Sequence, residues 1–522
     1  MLRSINIKRE DIRSSTDIKI SVGNVFSSVI APRHVLTKLA KAFSYEDPKA
    51  DKKRKHRIKY YTDIGRPDKV EFFANWDGRN SVFDSTTVGS GILEDVIMYL
   101  HDQGYTVNVV DNTRRGKKAV IPLGPRMKTL TDDQQVAFDI LESRDFRGLV
   151  HAAMAWGKTV LGTKIIHHLQ TITVIVADRT KTIDEWRNEI RESFNVMETK
   201  LKGASAYTYG SYQTRRPVIL LCSNKLIANA QMRSADPQTI ERNHIINGLI
   251  QNSGLYIYDE VHHASAQKTK VAVAEVRSYH RIGLSGTIGI RDDNSDYVYY
   301  ALIGNPVYFF SSTDLVNMGR GKKVLIKPIV LRYDQSFLAR VNADRGDWPE
   351  LYKNYIMENQ RRNNTICSVV IDEASEGKHI LILIDRIDHA QVLAAKLGQK
   401  LAVWTHGGET KELQELKFHQ FTTGQIPVMI CTFSLAGEGF NYPELNVLVI
   451  AGGKAEIKIR QAMGRVMRKS VHDTATLYDF VDPIQPFKDH FLARLEIYNS
   501  EDAFELEDNG RHLPYWARNY LG

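Results

Sequence analysis

The chain has 522 residues, 43% hydrophobic and 25% charged, a globular balance that excludes disordered and fibrous classes. Its length suits about three domains, each with its own core. Seventy Lys and Arg against 61 Asp and Glu leave a net charge of +9, which favours polyanionic partners without naming one. The cysteines, Cys222, Cys367 and Cys431, lie far apart, so neither a disulfide framework nor a structural zinc is expected, and a reducing compartment fits. Apolar runs such as 380–384 fall well short of the roughly 20 residues of a membrane helix. The opening MLRSINIKREDIRS has no apolar signal region. A soluble cytoplasmic protein is expected.

In chain order, residues 1–111 mix short alternating segments read as strands (18–22, 70–73) with helical patterns at 35–43 and 92–101, and the basic, Gly- and Pro-bearing segment 112–128 then reads as a linker. From Leu130 short apolar runs alternate with amphipathic helices: 173–177, 218–222, 255–258 and 281–284. After a less regular stretch at 322–362 the alternation resumes with HILILI, AVWT, PVMICT and VLVIAG. Continuous Val/Ile/Leu runs, each followed by a helical pattern, suit strands buried on both faces of parallel sheets. Two such series predict two α/β domains in tandem, with boundaries at 1–119, 120–325 and 326–522.

The segment HAAMAWGKT, residues 151–159, follows a short apolar run and opens a helix carrying Leu161, Ile165 and Leu169. A strand, a tight turn and a helix N-terminus supply converging backbone N–H groups for phosphate. Gly157 frees the turn, Lys158 offers an ammonium for the outer phosphates, and Thr159 offers a hydroxyl for Mg²⁺. Ala155 stands where a glycine is usual, at a cost of about 1–2 kcal/mol if its φ is positive.

Roughly 100 residues later, LYIYDEVHH places two carboxylates directly after a buried strand, the position at which parallel sheets build sites. Asp259 is expected to hold Mg²⁺ through water, and Glu260 to orient and deprotonate the attacking water. In IKIRQAMGRVMRKS, Gln461, Gly464, Arg465 and Arg468 recur at spacings of three and four, which predicts one helical face. Two neighbouring guanidiniums need an anion between them, and a transferring phosphoryl group is one. With the arginines in the second α/β series and the lysine in the first, a single ATP site shared by two lobes is expected.

Taken together, residues 130 to about 482 resemble the core of superfamily two helicases of the DExH type. Gln134 in LTDDQQVAF resembles the adenine-reading glutamine of the Q motif, 152–159 motif I, and VIVADRTKTIDEWRNEI motif Ia. ILLCSNKLI resembles the strand of motif Ic, and Asp259-Glu260-Val261-His262 is similar to motif II. Ser285 and Thr287 stand where motif III couples hydrolysis to DNA movement. LILIDRIDHA resembles motif IV, ICTFSLAGEGFNYPELNVLVI motif V, and Gln461–Arg468 motif VI. The resemblance implies two tandem RecA-like parallel-sheet lobes behind a small α+β N-terminal domain, ATP and Mg²⁺ as cofactors, and Gly439 as an ATP contact. Three positions depart from the pattern: Ala155, Gly286 in place of the common Ala, and Asn441 in place of the usual Asp of motif V.

VEFFANWDGRNSVFD, followed by GSGILEDVIMYLHDQGYTVNVVD, resembles the N-terminal domain of phage UvsW-type helicases. That family unwinds branched DNA and drives branch migration at forks and Holliday junctions, so the resemblance implies a viral enzyme in a bacterial cytoplasm, acting 3′ to 5′ and as a monomer. Residues 49–59 carry seven Lys or Arg against one Asp. Lys53, Arg54 and Lys55 there, with Arg114 and Arg115 by the linker, are expected phosphate contacts. Trp76 beside Arg79 is a candidate for stacking on bases, or else fills the small domain's core while Asp77-Gly78 makes a hairpin turn. Ser223 and Thr432, at strand ends, are further DNA candidates. Two alternatives stay open: a duplex translocase that does not separate strands, and a branched-DNA scaffold with a degenerate ATP site.

Overall fold

The computed structural model describes residues 17–519, less 49, 155, 263–266, 287–295, 344–347, 434, 437–441, 443, 453–462, 465, 471–472 and 486. The chain forms two compact units that divide near residue 310.

The first unit opens with a five-stranded sheet. Its strands, with a separate two-stranded pair, are β1 (Asp17–Val22), β2 (Phe26–Ile30), β3 (Ser44–Glu46), β4 (Arg79–Ser81), β5 (Phe83–Asp84), β6 (Thr87–Gly89) and β7 (Thr106–Asp111). The order is β5-β6-β2-β1-β7, while β3 pairs with β4. Period-two alternation buries Ile18 and Ile20, against helices Arg33–Ala42 and Leu93–Asp102, whose Val35, Leu39, Val96 and Leu100 complete the core.

Residues 70–73 are not a strand. Pro67 at the first helical position and Asp68 in the first turn start a helix, Pro67–Ala74. The basic run lies on a second helix, Ala50–Asp63, and Tyr61 of that helix stacks on Phe73. Asp77-Gly78 turns the chain from Pro67–Ala74 into β4, with Gly78 at φ 84°, and so does not close a two-residue hairpin.

The second sheet of this unit comprises β8 (Arg147–Ala152), β9 (Thr173–Val176), β10 (Met197–Lys200), β11 (Tyr207–Gly210), β12 (Pro217–Cys222), β13 (Leu255–Asp259), β14 (His280–Ser285) and β15 (Pro306–Phe310). Its order is β10-β11-β12-β9-β13-β14-β8-β15. The run β12-β9-β13-β14-β8 is parallel throughout. β9 and β13 are buried at every position, as strands covered on both faces require.

The leading sheet meets the rest of the first unit without slack through helix Asp296–Leu302. A Cβ on Gly89 would sit 2.2 Å from the Ala301 carbonyl oxygen, and one on Gly91 would sit 2.1 Å from that of Tyr300. Asn24 donates to the carbonyls of Arg114 and Arg277 at 2.8 and 2.6 Å and accepts from Arg114 N–H at 2.9 Å. Asn305 donates to Asp95 at 2.7 Å. The segment read as a linker is fastened down: Lys118 and Leu123 bridge to Thr171 and Phe194, and Ile121 is buried.

The second unit holds β16 (Lys323–Val330), β17 (Ile380–Ile384), β18 (Ala402–Thr405), β19 (Val428–Thr432), β20 (Val447–Ile450), β21 (Thr474–Val481) and β22 (Phe504–Leu506). They are ordered β18-β19-β17-β20-β21-β16-β22, and the pairs are parallel. Since β16 starts at Lys323, the expected boundary at 325 cuts a strand, and the second lobe begins before it. The aromatic tail closes this unit: Leu513 and Ala517 join its core, and Trp516 packs edge-on to Phe491. The fold is thus two α/β lobes on parallel sheets behind a small α+β domain.

Candidate nucleotide site

β13 carries its chain to the carboxyl edge of the first lobe's sheet, level with the end of β14 through the pair Asp259↔Leu284. Four buried apolar or aromatic residues deliver Asp259 there, itself 5% exposed. One strand beyond β14, β8 ends at Ala152, and the chain re-enters a helix at Lys158–Leu169 after Gly157, whose φ is 95°. That left-handed turn suits glycine. Lys158 Nζ donates to Ala152 O at 3.0 Å, and half-buried Thr159 is the helix's second residue. A strand edge and a helix N-terminus therefore face the same ground from two sides of β14. Ala155 lies outside the described residues.

The acidic pair has a strained backbone. Glu260 sits at φ 57°, a conformation that costs a residue with a Cβ about 1–3 kcal/mol. Its N–H donates to Asp259 Oδ1 at 2.9 Å. Burial first, then the charge of Glu260, push the Asp259 carboxyl up to about 6, with Lys158 and the Trp186 indole pulling the other way. A buried carboxylate crowded by a second one is relieved by a cation. The residues present thus fit Mg²⁺, with Asp259 and Thr159 as its holders.

Two side chains converge on the Glu260 carboxylate. Ser285 donates to Glu260 Oε2 at 3.2 Å, and His262 Nδ1 lies 2.8 Å from Ser285 Oγ and 3.2 Å from Glu260 Oε2. Ser285 is fully buried, so the end of β14 is joined directly to the carboxylate that the sequence assigned to water activation. Gln134 is also brought in. Its side-chain oxygen accepts from Thr131 N–H at 3.1 Å in a capping box, and a Cβ on Gly157 would meet its Nε2 at 2.5 Å. Its amide therefore lies against the phosphate loop while capping its own helix.

The arginine-bearing segment departs from expectation. Residues 463, 464 and 466 are helical, but Arg468 lies past the helix end in a β-bridge with Gly321. It therefore does not share a helical face with Gly464, because extended backbone turns its side chain out of the helical repeat. Gln461, Arg465, Gly439, Asn441 and Thr287 lie outside the described residues.

The nucleic-acid candidates divide. Lys53 pairs with Asp47 at 2.6 Å, and Arg54 bonds Asp51 at 3.0 Å and the Trp76 carbonyl at 2.8 Å, whereas Lys55 is exposed. Trp76 is half-buried, donating to Arg79 O at 2.6 Å and packing edge-on to Phe73. The Arg79 guanidinium bonds Ser44 Oγ and O at 2.9 and 3.0 Å. Arg115 pairs with Asp145 at 3.3 Å and lies 3.7 Å over the Tyr279 ring, which makes it a joint of the unit, while the Arg114 side chain is exposed. Ser223 is the N-cap residue of helix Asn224–Ala230. Thr432 Oγ1 accepts from Leu435 N–H at 3.3 Å.

Residues 127–290 match the family model "Type III restriction enzyme, res subunit", and residues 361–470 match "Helicase conserved C-terminal domain". The chain is a superfamily two helicase. This helicase is an ATP-hydrolysing enzyme of the DNA helicase and translocase family. It is 25% identical over 388 residues to a protein of Invertebrate iridescent virus 6 named as helicase 161L, covering 71% of this chain and 80% of that one. It is 24% identical over 340 residues to the DNA 3'-5' helicase XPB of Kineococcus radiotolerans, 64% of this chain but 56% of the relative's length. The crystal structure of T4 UvsW aligns over 94% of this chain and 98% of its own at 16% identity, with a TM-score of 0.40. Among the helicase's described residues no helix is long and apolar enough to cross a membrane.

Two residues of the site escaped the sequence reading. Trp186, on helix Thr180–Ser193, donates to Asp259 Oδ2 at 2.9 Å. Asp178 accepts from Asn224 N–H and side chain at 2.9 Å each and from Tyr258 OH at 2.8 Å, tying the motif Ia loop to β13 and to the helix after Ser223. Ile183, Trp186 and Ile190 at helical spacing look like core filling, and nothing local marks the indole as a partner of a carboxylate 73 positions on.

Proposed function

We propose that this protein is a DNA helicase that unwinds or branch-migrates forked and four-way DNA, moving 3′ to 5′ as a monomer in the cytoplasm of a phage-infected bacterium. The observation that carries its chemistry is the buried Asp259, followed by half-buried Glu260 and held beside Lys158 at the carboxyl edge of a parallel sheet. Lys158 and the N–H groups opening its helix take the triphosphate, and Mg²⁺, which Asp259 and Thr159 would hold, would supply positive charge to the phosphates. Glu260, its carboxylate aligned by Ser285 and His262, orients a water and takes its proton. Gln134 reads the adenine edge and Gly439 adds an ATP contact. Arg465 and Arg468 supply positive charge to the transferring phosphoryl group, and Gln461 offers its amide as a hydrogen-bond partner beside them. Ser285 and Thr287 relay the outcome to the DNA-bearing loops.

The DNA assignment is supported by the Asn75–Arg79 element with its following helix, and by the name of the bacterial relative. The exposed cations of Ala50–Asp63 and the Ser223 and Thr432 hydroxyls are its backbone contacts, indifferent to base sequence. Phosphate release measured with single strands, duplexes, forks and four-way junctions, in both sugars, tests the reading. Stimulation greatest on branched DNA is the expected result. Stimulation by RNA alone would overturn it.

The match of residues 127–290 to a restriction-enzyme family model favours a second reading, a motor that tracks duplex DNA without parting its strands. Displacement of a labelled strand from a fork, with none from a blunt duplex, excludes that second reading.

A further inference from the structure

We infer that Trp186 is a positioning residue for the cation-binding carboxylate, and that Gly162 is the notch that seats it. The inference deepens the function proposed above and rests on the assignment of Asp259 to Mg²⁺. An indole N–H donates only, so the 2.9 Å contact from Trp186 Nε1 fixes Asp259 Oδ2 as an acceptor. The other oxygen, Oδ1, accepts from Glu260 N–H at 2.9 Å. With one donor on each oxygen the carboxylate plane is set, and one lone pair on each oxygen is left to meet a cation. The ring has no freedom of its own. Trp186 is 0% exposed, and a Cβ on Gly162 would sit 2.3 Å from its Cη2. Gly162 lies one turn into the helix that begins with Lys158 and Thr159. The helix that presents the phosphate-binding residues therefore also positions the acid, through one aromatic ring, and the two halves of the site are held in a common geometry.

Trp186→Phe keeps the ring and deletes the N–H. Binding of a fluorescent, non-hydrolysed ATP analogue, titrated with Mg²⁺, reads the effect without turnover. Outer-shell partners of metal ligands are worth about 10–100-fold in metal affinity, so the Mg²⁺ midpoint is expected to rise about tenfold. Binding of the analogue in the absence of Mg²⁺ should be unchanged. Gly162→Ala, which leaves the indole intact but displaces it, should raise the midpoint in the same direction, and it carries the test if the Phe variant fails to fold. A midpoint within twofold of the wild type in a folded variant, whatever its melting temperature, reduces Trp186 to core filling and overturns the inference. Asp259→Asn is the reference: if it too leaves the midpoint unmoved, the assignment of Asp259 fails rather than the role of Trp186.

Discussion

Glu260 is held in a left-handed backbone conformation that its own side chain gains nothing from, at φ 57°. Such a position persists when the surrounding contacts over-determine it, and here they do: the N–H is engaged by Asp259 and the carboxylate by Ser285 and His262. Replacing Glu260 by Gln preserves shape and removes the base. Nucleic-acid-stimulated phosphate release should fall by about 10²–10⁴-fold, while a filter-binding assay should find DNA affinity unchanged. Lys158→Ala should give the same pattern through loss of its ammonium, and Arg465→Ala should slow turnover about a thousandfold. At this scale the placing of Lys158, Thr159, Asp259 and Glu260 at a helix start and a strand end was legible in the sequence, because it depends on neighbours within a few positions. Trp186 and the Ser285–His262 link were not, because their partners lie 73 and 23 positions away and only the sheet order joins them.

Among the elements, helix Ile387–Leu397 carries a histidine that no acidic partner compensates among the described residues. His389 is fully buried, with Nε2 2.9 Å from Asn363 Oδ1. Burial, then the nearby Arg362 guanidinium, drive it down to about 3 from an ordinary 6.5. The unfolded chain takes up a proton below about pH 6.5 that the folded one refuses. Stability present above that pH is therefore lost as acid is added toward pH 3, at up to about 1.4 kcal/mol per pH unit. Between pH 7 and pH 5 the melting temperature of the wild type should fall further than that of His389→Gln. The strand series of both lobes was legible because parallel strands buried on both faces leave an unbroken apolar run. The Val70–Phe73 error came from reading four residues as alternating when Pro67, three positions earlier, had already begun a helix. Arg468 was misplaced because a helical repeat extrapolates past a helix's end.

For the whole molecule, charge is the quantity to test. Among its described side chains Ala50–Asp63 has none buried, yet two of its cations are already spent on Asp47 and Asp51. Each phosphate neutralised contributes about 0.9 to the log–log salt slope of duplex binding. Anisotropy on a forked duplex between 50 and 300 mM salt (roughly the range over which such contacts weaken) should show a slope lower by about two for Lys55→Ala with Lys59→Ala. Lys53→Ala with Arg54→Ala should change it less. Equal losses from the two pairs would remove the distinction between engaged and available cations. The modest net charge in the sequence pointed toward such a partner, but which lysines are occupied depends on turns that place Asp47 beside Lys53.

The joint between the leading sheet and helix Asp296–Leu302 is made of glycine backbone pressed on backbone at Gly89 and Gly91, with Asn24 bonded to Arg114 and Arg277 beside it. Introducing a methyl there, as in Gly91→Ala, should lower the melting temperature and raise hydrogen exchange in β6, since overpacking costs about 1–3 kcal/mol. A joint of that kind behaves like a blade forged to its handle rather than hinged on it: under the function proposed above, a strand gripped by the leading module would travel with the lobe that bears Lys158, with little of the motion lost to bending.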